Sequence, residues 1–157
     1  MSRAAEDRSV EVEVEERLRI EQQCRDLVSA VAQLGDRRDI ARAAALFAED
    51  GVWVRGGRHW TGRTEVVESY GRIPATQLTR HMSANCVVTV QDADHATAVT
   101  YYVAYHHDPG IAEPTFPLPF DPPFSLGEWH DRFVRTAEGW RIARRETRRL
   151  FERRGGH

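Results

Sequence analysis

Six of the seven prolines of this chain fall between Asp108 and Ser125. Proline has no backbone N–H to give to a sheet ladder, so no sheet interior tolerates that density. The segment is therefore a loop. It spans about eighteen residues, longer than ordinary connections, and loops of that length serve as lids or interface arms. It separates two pairs of predicted strands. His81 to Gln91 and His95 to His107 precede it, joined by Asp92-Ala93-Asp94. Leu126 to Thr136 and Trp140 to about Leu150 follow it, joined by Glu138-Gly139. Alternating runs of this kind, linked by short polar turns, pair as an antiparallel meander.

The first half has a different period. Cys24, Leu27, Val28, Val31 and Leu34 recur at helical spacing and form one apolar stripe. A helix from about Glu15 is thus expected, stopped by Gly35. Asp39 is placed to cap a second helix with Ile40, Ala43, Ala44 and Phe47 on one face. Glu49-Asp50-Gly51 reads as a turn, Val52 to Arg55 as a short strand, Gly56-Gly57 as a hairpin turn and Arg58-His59-Trp60 as its return. A third short helix follows Gly62, from about Thr64, its plausible cap, to Tyr70. Residues 1–14 read as a flexible, acidic arm. Val10, Val12 and Val14 alternate with Glu, which suits an edge strand, disorder or a helical extension alike. The order is helices, a hairpin, a helix, then long strands. That defines one α+β domain over residues 15–150, followed by a basic tail over 151–157. A curved antiparallel sheet with about three N-terminal helices covering its concave face would enclose a pocket.

Charge narrows the function classes. The formal net charge is −2, so no global basic field recruits nucleic acid. The arginines at 144, 145, 148, 149, 153 and 154 are interleaved with Glu146 and Glu152, the pattern of a solvated, salt-bridged end. No apolar run approaches the ~20 residues of a membrane span, and the acidic start lacks an apolar signal core, so a cytoplasmic protein is expected. Cys24 and Cys86 have apolar neighbours and no Cys-x-x-Cys spacing, which predicts two buried, reduced thiols.

The candidate chemistry centres on Leu78-Thr79-Arg80-His81, where the helical half meets the first long strand. An imidazole there can take and return a proton near neutral pH. On the strand from His95 to His107, Thr100, Tyr102, Ala104 and His106 share one face and Tyr101, Tyr105 and His107 the other. If the small-residue face lines the pocket, His106 is a candidate acid and Tyr102 a candidate carbonyl donor. The opposite parity nominates Tyr101 and Tyr105. Adjacent His106 and His107 face apart and cannot converge on one metal, and the same parity argues against a His130–Asp131 dyad. Trp140, Ile142 and Arg144 share a face of the last strand. Arg144 either points inward to an anionic or carbonyl group or sits in a structural ion pair. Trp53 and Trp129 suit core or pocket wall.

Several motifs in order carry a resemblance. These are Asp36-x-x-Asp39, Leu46-Phe47-Ala48-Glu49-Asp50-Gly51-Val52-Trp53, Gly62 before a short helix, Thr79-Arg80-His81 with Asn85, and Gly139-Trp140-Arg141-Ile142-Ala143-x-Arg145. Together, over about Glu16 to Arg149, they resemble the SnoaL-like branch of the NTF2-like superfamily. The resemblance implies a cone-shaped α+β barrel with a deep apolar pocket. It also implies a cofactor-independent lyase or isomerase (dehydratase, isomerase or polyketide cyclase) acting on a small, ring-bearing, mostly apolar carbonyl compound. Asp36 would partner a catalytic His81, His106 would be a second histidine and Arg144 a pocket arginine. Tyr102, Trp129, Trp53 and Asn85 would contact the substrate. No metal or other cofactor is expected, and the predicted partner besides substrate is the chain itself, as homodimer or homotrimer. The superfamily also includes non-catalytic binding or structural subunits. The same acid–base pair serves epoxide opening or dehydrohalogenation, and Asp36 as a simple helix cap is the bland alternative. The chain departs from the superfamily's enzymes where a helix-one tyrosine is usual, for those places hold Gly35 and Val31.

Overall fold

The computed structural model describes residues 13–119 and 124–153. Most of the anticipated arm and the last four residues of the basic tail lie outside them. Among the described residues, three helices precede the long strands of a six-stranded sheet.

Helix α1 (Val14–Asp36) has Glu15 and Glu16 in its first turn, where negative charge complements the helix dipole. Its stripe of Ile20, Cys24, Leu27, Val28 and Val31 is buried against the sheet. The helix runs one residue past Gly35, the expected stop. The left-handed residue that ends it is Arg38 (φ 60°), whose guanidinium donates to the carbonyls of Ile73 and Pro74. Helix α2 (Ile40–Ala45) does start after Asp39, but that carboxylate makes no cap bond and pairs with Arg42 at 3.1 Å instead. Phe47, expected on this helix, opens strand β1 (Phe47–Arg55). The anticipated turn at Glu49-Asp50-Gly51 is a slip of register inside β1, between Phe47 and Val52.

Gly56 and Gly57 both take positive φ, as a two-residue hairpin turn of this kind requires, and lead into β2 (Arg58–Thr61). Helix α3 (Gly62–Tyr70) starts two residues before Thr64, after an extended Thr61 whose N–H donates to the Glu65 carboxylate at 2.7 Å. Then come β3 (Leu78–Val90), β4 (His95–His107), β5 (Ser125–Thr136) and β6 (Gly139–Glu152). The sheet order is β2-β1-β6-β5-β4-β3, so the four long strands form the expected meander. Strand β1 joins it parallel to β6.

The helices cover one face of the curved sheet, and the core lies between them. Ile20, Val28, Val31, Phe47, Phe133 and Ile142 are almost fully buried. Each such side chain contributes ~1.5–3 kcal/mol relative to exposure. Cys24 and Cys86 are both free, Cys24 buried and Cys86 partly so. Burial pushes the Cys24 thiol up to about 12, which leaves it inert near neutral pH. Among the described residues, no helix is long and apolar enough to cross a membrane.

Two bulges decide which side chains face inward. In β3 the register shifts between Ala84 and Val87, with Asn85 at φ 51°. In β6, Phe133 pairs with Ile142 and Arg132 with Arg144, which leaves Ala143 as an extra residue. An extra residue reverses the alternation of every side chain beyond it.

Candidate active site

On β4 the inward face is Ala96, Ala98, Thr100, Tyr102 and Ala104, with His106 at its end. The small-residue parity therefore holds, and Tyr102 rather than Tyr101 or Tyr105 lines the cavity. On β6, Trp140 and Ile142 point inward, but beyond Ala143 the inward residues are Arg145, Thr147 and Arg149. Arg144 lies on the outer face among Thr97, Val99, His130 and Arg132. It is not a pocket arginine, because the bulge turns it away. Asn85 does not line this cavity either. It is exposed and supplies the left-handed backbone of the β3 bulge, a conformation asparagine tolerates better than most residues.

Asp36, the last residue of α1, grips His81 at two points. One oxygen accepts from the His81 backbone N–H at 2.7 Å and the other lies 2.7 Å from Nδ1 of its ring. The Asp36 side chain is 8% exposed and that of His81 26%, the latter facing the cavity. With Nδ1 engaged by the carboxylate, Nε2 is the ring nitrogen left for a ligand, and the tautomer follows from the pairing. The ring lies against Trp129 and Tyr102, with centroids 5.5 and 6.0 Å away, and those two rings stack at 4.8 Å. Trp53 closes another wall, its Nε1 donating to Thr147 at 2.9 Å.

His106 lines the same cavity, and the centroid of Phe124 stacks on it at 4.4 Å. Arg149 also lies over the Phe124 ring, 5.3 Å from its centroid. Phe124 is the end of the proline-rich loop, and its N–H bonds to the Ala104 carbonyl at 2.7 Å. Burial, then the neighbouring His81, Arg149 and Arg55, push the His106 pKa down to about 4. His106 is therefore neutral near pH 7.

Tyr70 was not visible as a site residue in the sequence. It reaches the cavity from α3 and lies across Gly35, with its ring edge and hydroxyl each 3.1 Å from where a Cβ on Gly35 would be. A larger residue at 35 would meet that ring. The phenol thus occupies space beside the end of α1, where a helix-one tyrosine is absent. Its hydroxyl makes no hydrogen bond to a described residue, and burial pushes its pKa up to about 12, so it remains a proton-bearing donor. No sequence signal marks it, because Gly35 and Tyr70 meet only in the fold.

Arg145 is 1% exposed and donates twice to Asp131, at 2.7 and 2.8 Å. Burial opposes its charge, but Asp131 more than offsets this and holds its pKa above the ordinary range. The neighbouring His130 faces out and pairs with Glu128, as the strand's alternation requires. Among the described residues, no group of three or more His, Cys, Asp or Glu is gathered as a metal site.

The cavity volume is about 90 Å³, below the ~150 Å³ of an apolar cavity that holds one benzene. It adjoins a wider, polar hollow of about 690 Å³, and Arg55, Ile73, Thr147 and Arg149 line both.

A helix-capped curved sheet with a carboxylate–histidine pair in an aromatic cavity defines an NTF2-like, cystatin-like protein. The chain belongs to the SnoaL-like domain family, whose sequence profile matches residues 16–146. Solved structures agree on the fold. A candidate scytalone dehydratase from Novosphingobium aromaticivorans superposes with a TM-score of 0.75 at 18% identity, covering 92% of this chain and 93% of that one. A type 2 hexachlorocyclohexane dehydrochlorinase (LinA) gives 0.73 at 14% identity, covering 92% and 96%. An NTF2-like protein with a cystatin-like fold, also from N. aromaticivorans, gives 0.69 at 24% identity, covering 93% and 92%. At these identities the likeness is one of fold. Comparison with curated proteins finds no sequence match.

Proposed function

We propose that the chain is a cofactor-independent lyase or isomerase in which Asp36 and His81 move a proton beside the carbonyl of a small, ring-bearing compound. The observation that carries this is the two-point hold of Asp36 on His81 inside the cavity. His81 Nε2 removes the α-proton, and Asp36 stabilises the imidazolium that forms. The Tyr70 phenol donates to the developing enolate oxygen, with Tyr102 as the second phenol in reach of the cavity. The imidazolium then returns its proton, to a departing hydroxyl in a dehydration or to another carbon in an isomerisation or cyclisation. Loss of halide, or opening of an epoxide, uses the same pair. The test is exchange: incubation with ring ketones in deuterium oxide should place deuterium at the α-carbon. Absence of exchange across a panel of cyclic ketones, with the protein folded, would overturn the reading.

The cavity volume of about 90 Å³ favours a second reading, a non-catalytic binding or structural subunit. Under it, small ketones would bind or be excluded without any exchange. Self-association belongs to either reading, for Met82, Val87 and Tyr101 stand 63%, 65% and 48% exposed on the uncovered side of the sheet.

A further inference from the structure

Four arginines line the cavity or its mouth, and three have acceptors. Arg145 is held by Asp131, Arg149 by Glu152, and Arg38 by two backbone carbonyls. Arg55 is different. It sits half-buried at the end of β1, lining both the cavity and the outer hollow, and among the described residues it has no carboxylate or carbonyl partner. Its guanidinium faces only the Trp53 ring, 5.4 Å from the centroid.

A guanidinium carries five donors, and drawing them even partly out of water without a partner costs free energy. Burial opposes its charge most, and Arg149 adds repulsion, while only the Tyr70 and Tyr102 phenols act in its favour. A cation kept under these conditions at the junction of a cavity and a hollow is what an anionic ligand would complete. The outer hollow repeats the sign. Arg58 and Arg72 both lie over Trp60, and among the described residues the one carboxylate lining the hollow is Glu152, already bound to Arg149.

We propose that Arg55 is an anion anchor, and that the ligand of this cavity is a ring compound bearing a carboxylate directed into the mouth. The small inner volume supports this placement, because it holds only part of a ring and leaves the rest of the ligand, with its carboxylate, to the wider hollow. The charge count favours carboxylate over phosphate. Arg149 is offset by Glu152, and Arg58 and Arg72 are exposed and screened by solvent, so Arg55 is the one half-buried cation of the four without an acceptor among the described residues. A guanidinium fork matches the two coplanar oxygens of a carboxylate. The proposal names the substrate class for the acid–base reading, but anion binding stands apart from turnover.

The test is calorimetric titration of the full chain with benzoate, benzamide and phenyl phosphate at neutral pH and low salt. Benzoate should bind saturably and benzamide at least about tenfold more weakly, with phenyl phosphate no tighter than benzoate. Arg55→Leu should weaken benzoate by about 10- to 100-fold, to the level of benzamide, which is the range expected for one charge-assisted contact. Its melting temperature should not fall, since the change removes an unpaired cation. Arg55→Lys should recover part of the affinity. Equal binding of benzoate and benzamide, no benzoate binding, tighter phenyl phosphate, or an Arg55→Leu protein that binds benzoate as the parent does would each overturn the proposal. Should Arg55→Leu fail to fold, the comparison of the three ligands on the unaltered chain decides it. Benzoate binding without α-proton exchange of any ketone would sink the acid–base reading and leave the anchor standing. Exchange of neutral ketones without any binding of benzoate would do the reverse.

Discussion

The two carboxylate oxygens of Asp36 hold His81 through its backbone N–H and its Nδ1, each at 2.7 Å, across 45 positions of chain. One carboxylate thereby holds both the strand backbone at His81 and the turn of its imidazole. As the final residue of α1, Asp36 ties the helix to the edge strand β3 at a histidine that lines the cavity.

Removing either partner should cost activity in the range of general base catalysis. Asp36→Asn and His81→Ala are each expected to slow α-proton exchange by about 100- to 10,000-fold. The double variant should lose little more than the worse single one, because groups acting as a unit are not additive. Exchange rates measured by NMR on all three proteins check this, and additive losses would mean that the residues act separately.

Tyr70→Phe isolates the donor. The ring stays against Gly35 and only the hydroxyl goes, so the fold should be kept while kcat falls by about 100- to 1,000-fold, the usual cost of losing one oxyanion donor. Steady-state kinetics read this directly. An unaltered kcat would move the donor role to Tyr102.

Stability should depend on pH through His106. In the fold its pKa is about 4 and in the unfolded chain about 6.5. Between those values the unfolded state binds more protons, so stability rises with pH across that window and is lost as pH falls through it. The charged flank and partial exposure reduce the size of the effect. Urea unfolding at pH 4.5 and 7 should show the slope in the parent protein, and His106→Gln should flatten it.

The buried Asp131–Arg145 pair should be structural. Asp131→Ala strands a guanidinium that is 1% exposed and is expected to destabilise the fold by about 3–5 kcal/mol. Arg144→Ala, one residue away on the outer face, should stay within about 0.5 kcal/mol. Denaturation midpoints separate the two, and comparable losses would contradict the β6 bulge.

Light scattering should report an assembly larger than one chain. Mutating Met82 and Val87, 63% and 65% exposed, to Asp should shift it toward the monomer. A parent protein that is already monomeric at micromolar concentration would refute self-association.

Much of this was legible in the order of residues. The helical stripe on α1, the double-glycine hairpin, the proline-dense loop and the meander follow from local periods and from backbone chemistry, which neighbouring residues decide among themselves. Asp36 and His81 were legible through their motifs. What only the folded chain decided is parity and company. A strand alternates with period two until one extra residue slips in, and nothing in Ala143 or Asn85 alone announces that slip, because a bulge is settled by packing against the partner strand. It sends Arg145 inward and Arg144 outward. Tyr70 meets Gly35, and Arg55 goes without an acid, for the same reason: contacts between distant segments belong to the closed shape of the sheet and helices, not to any window of sequence.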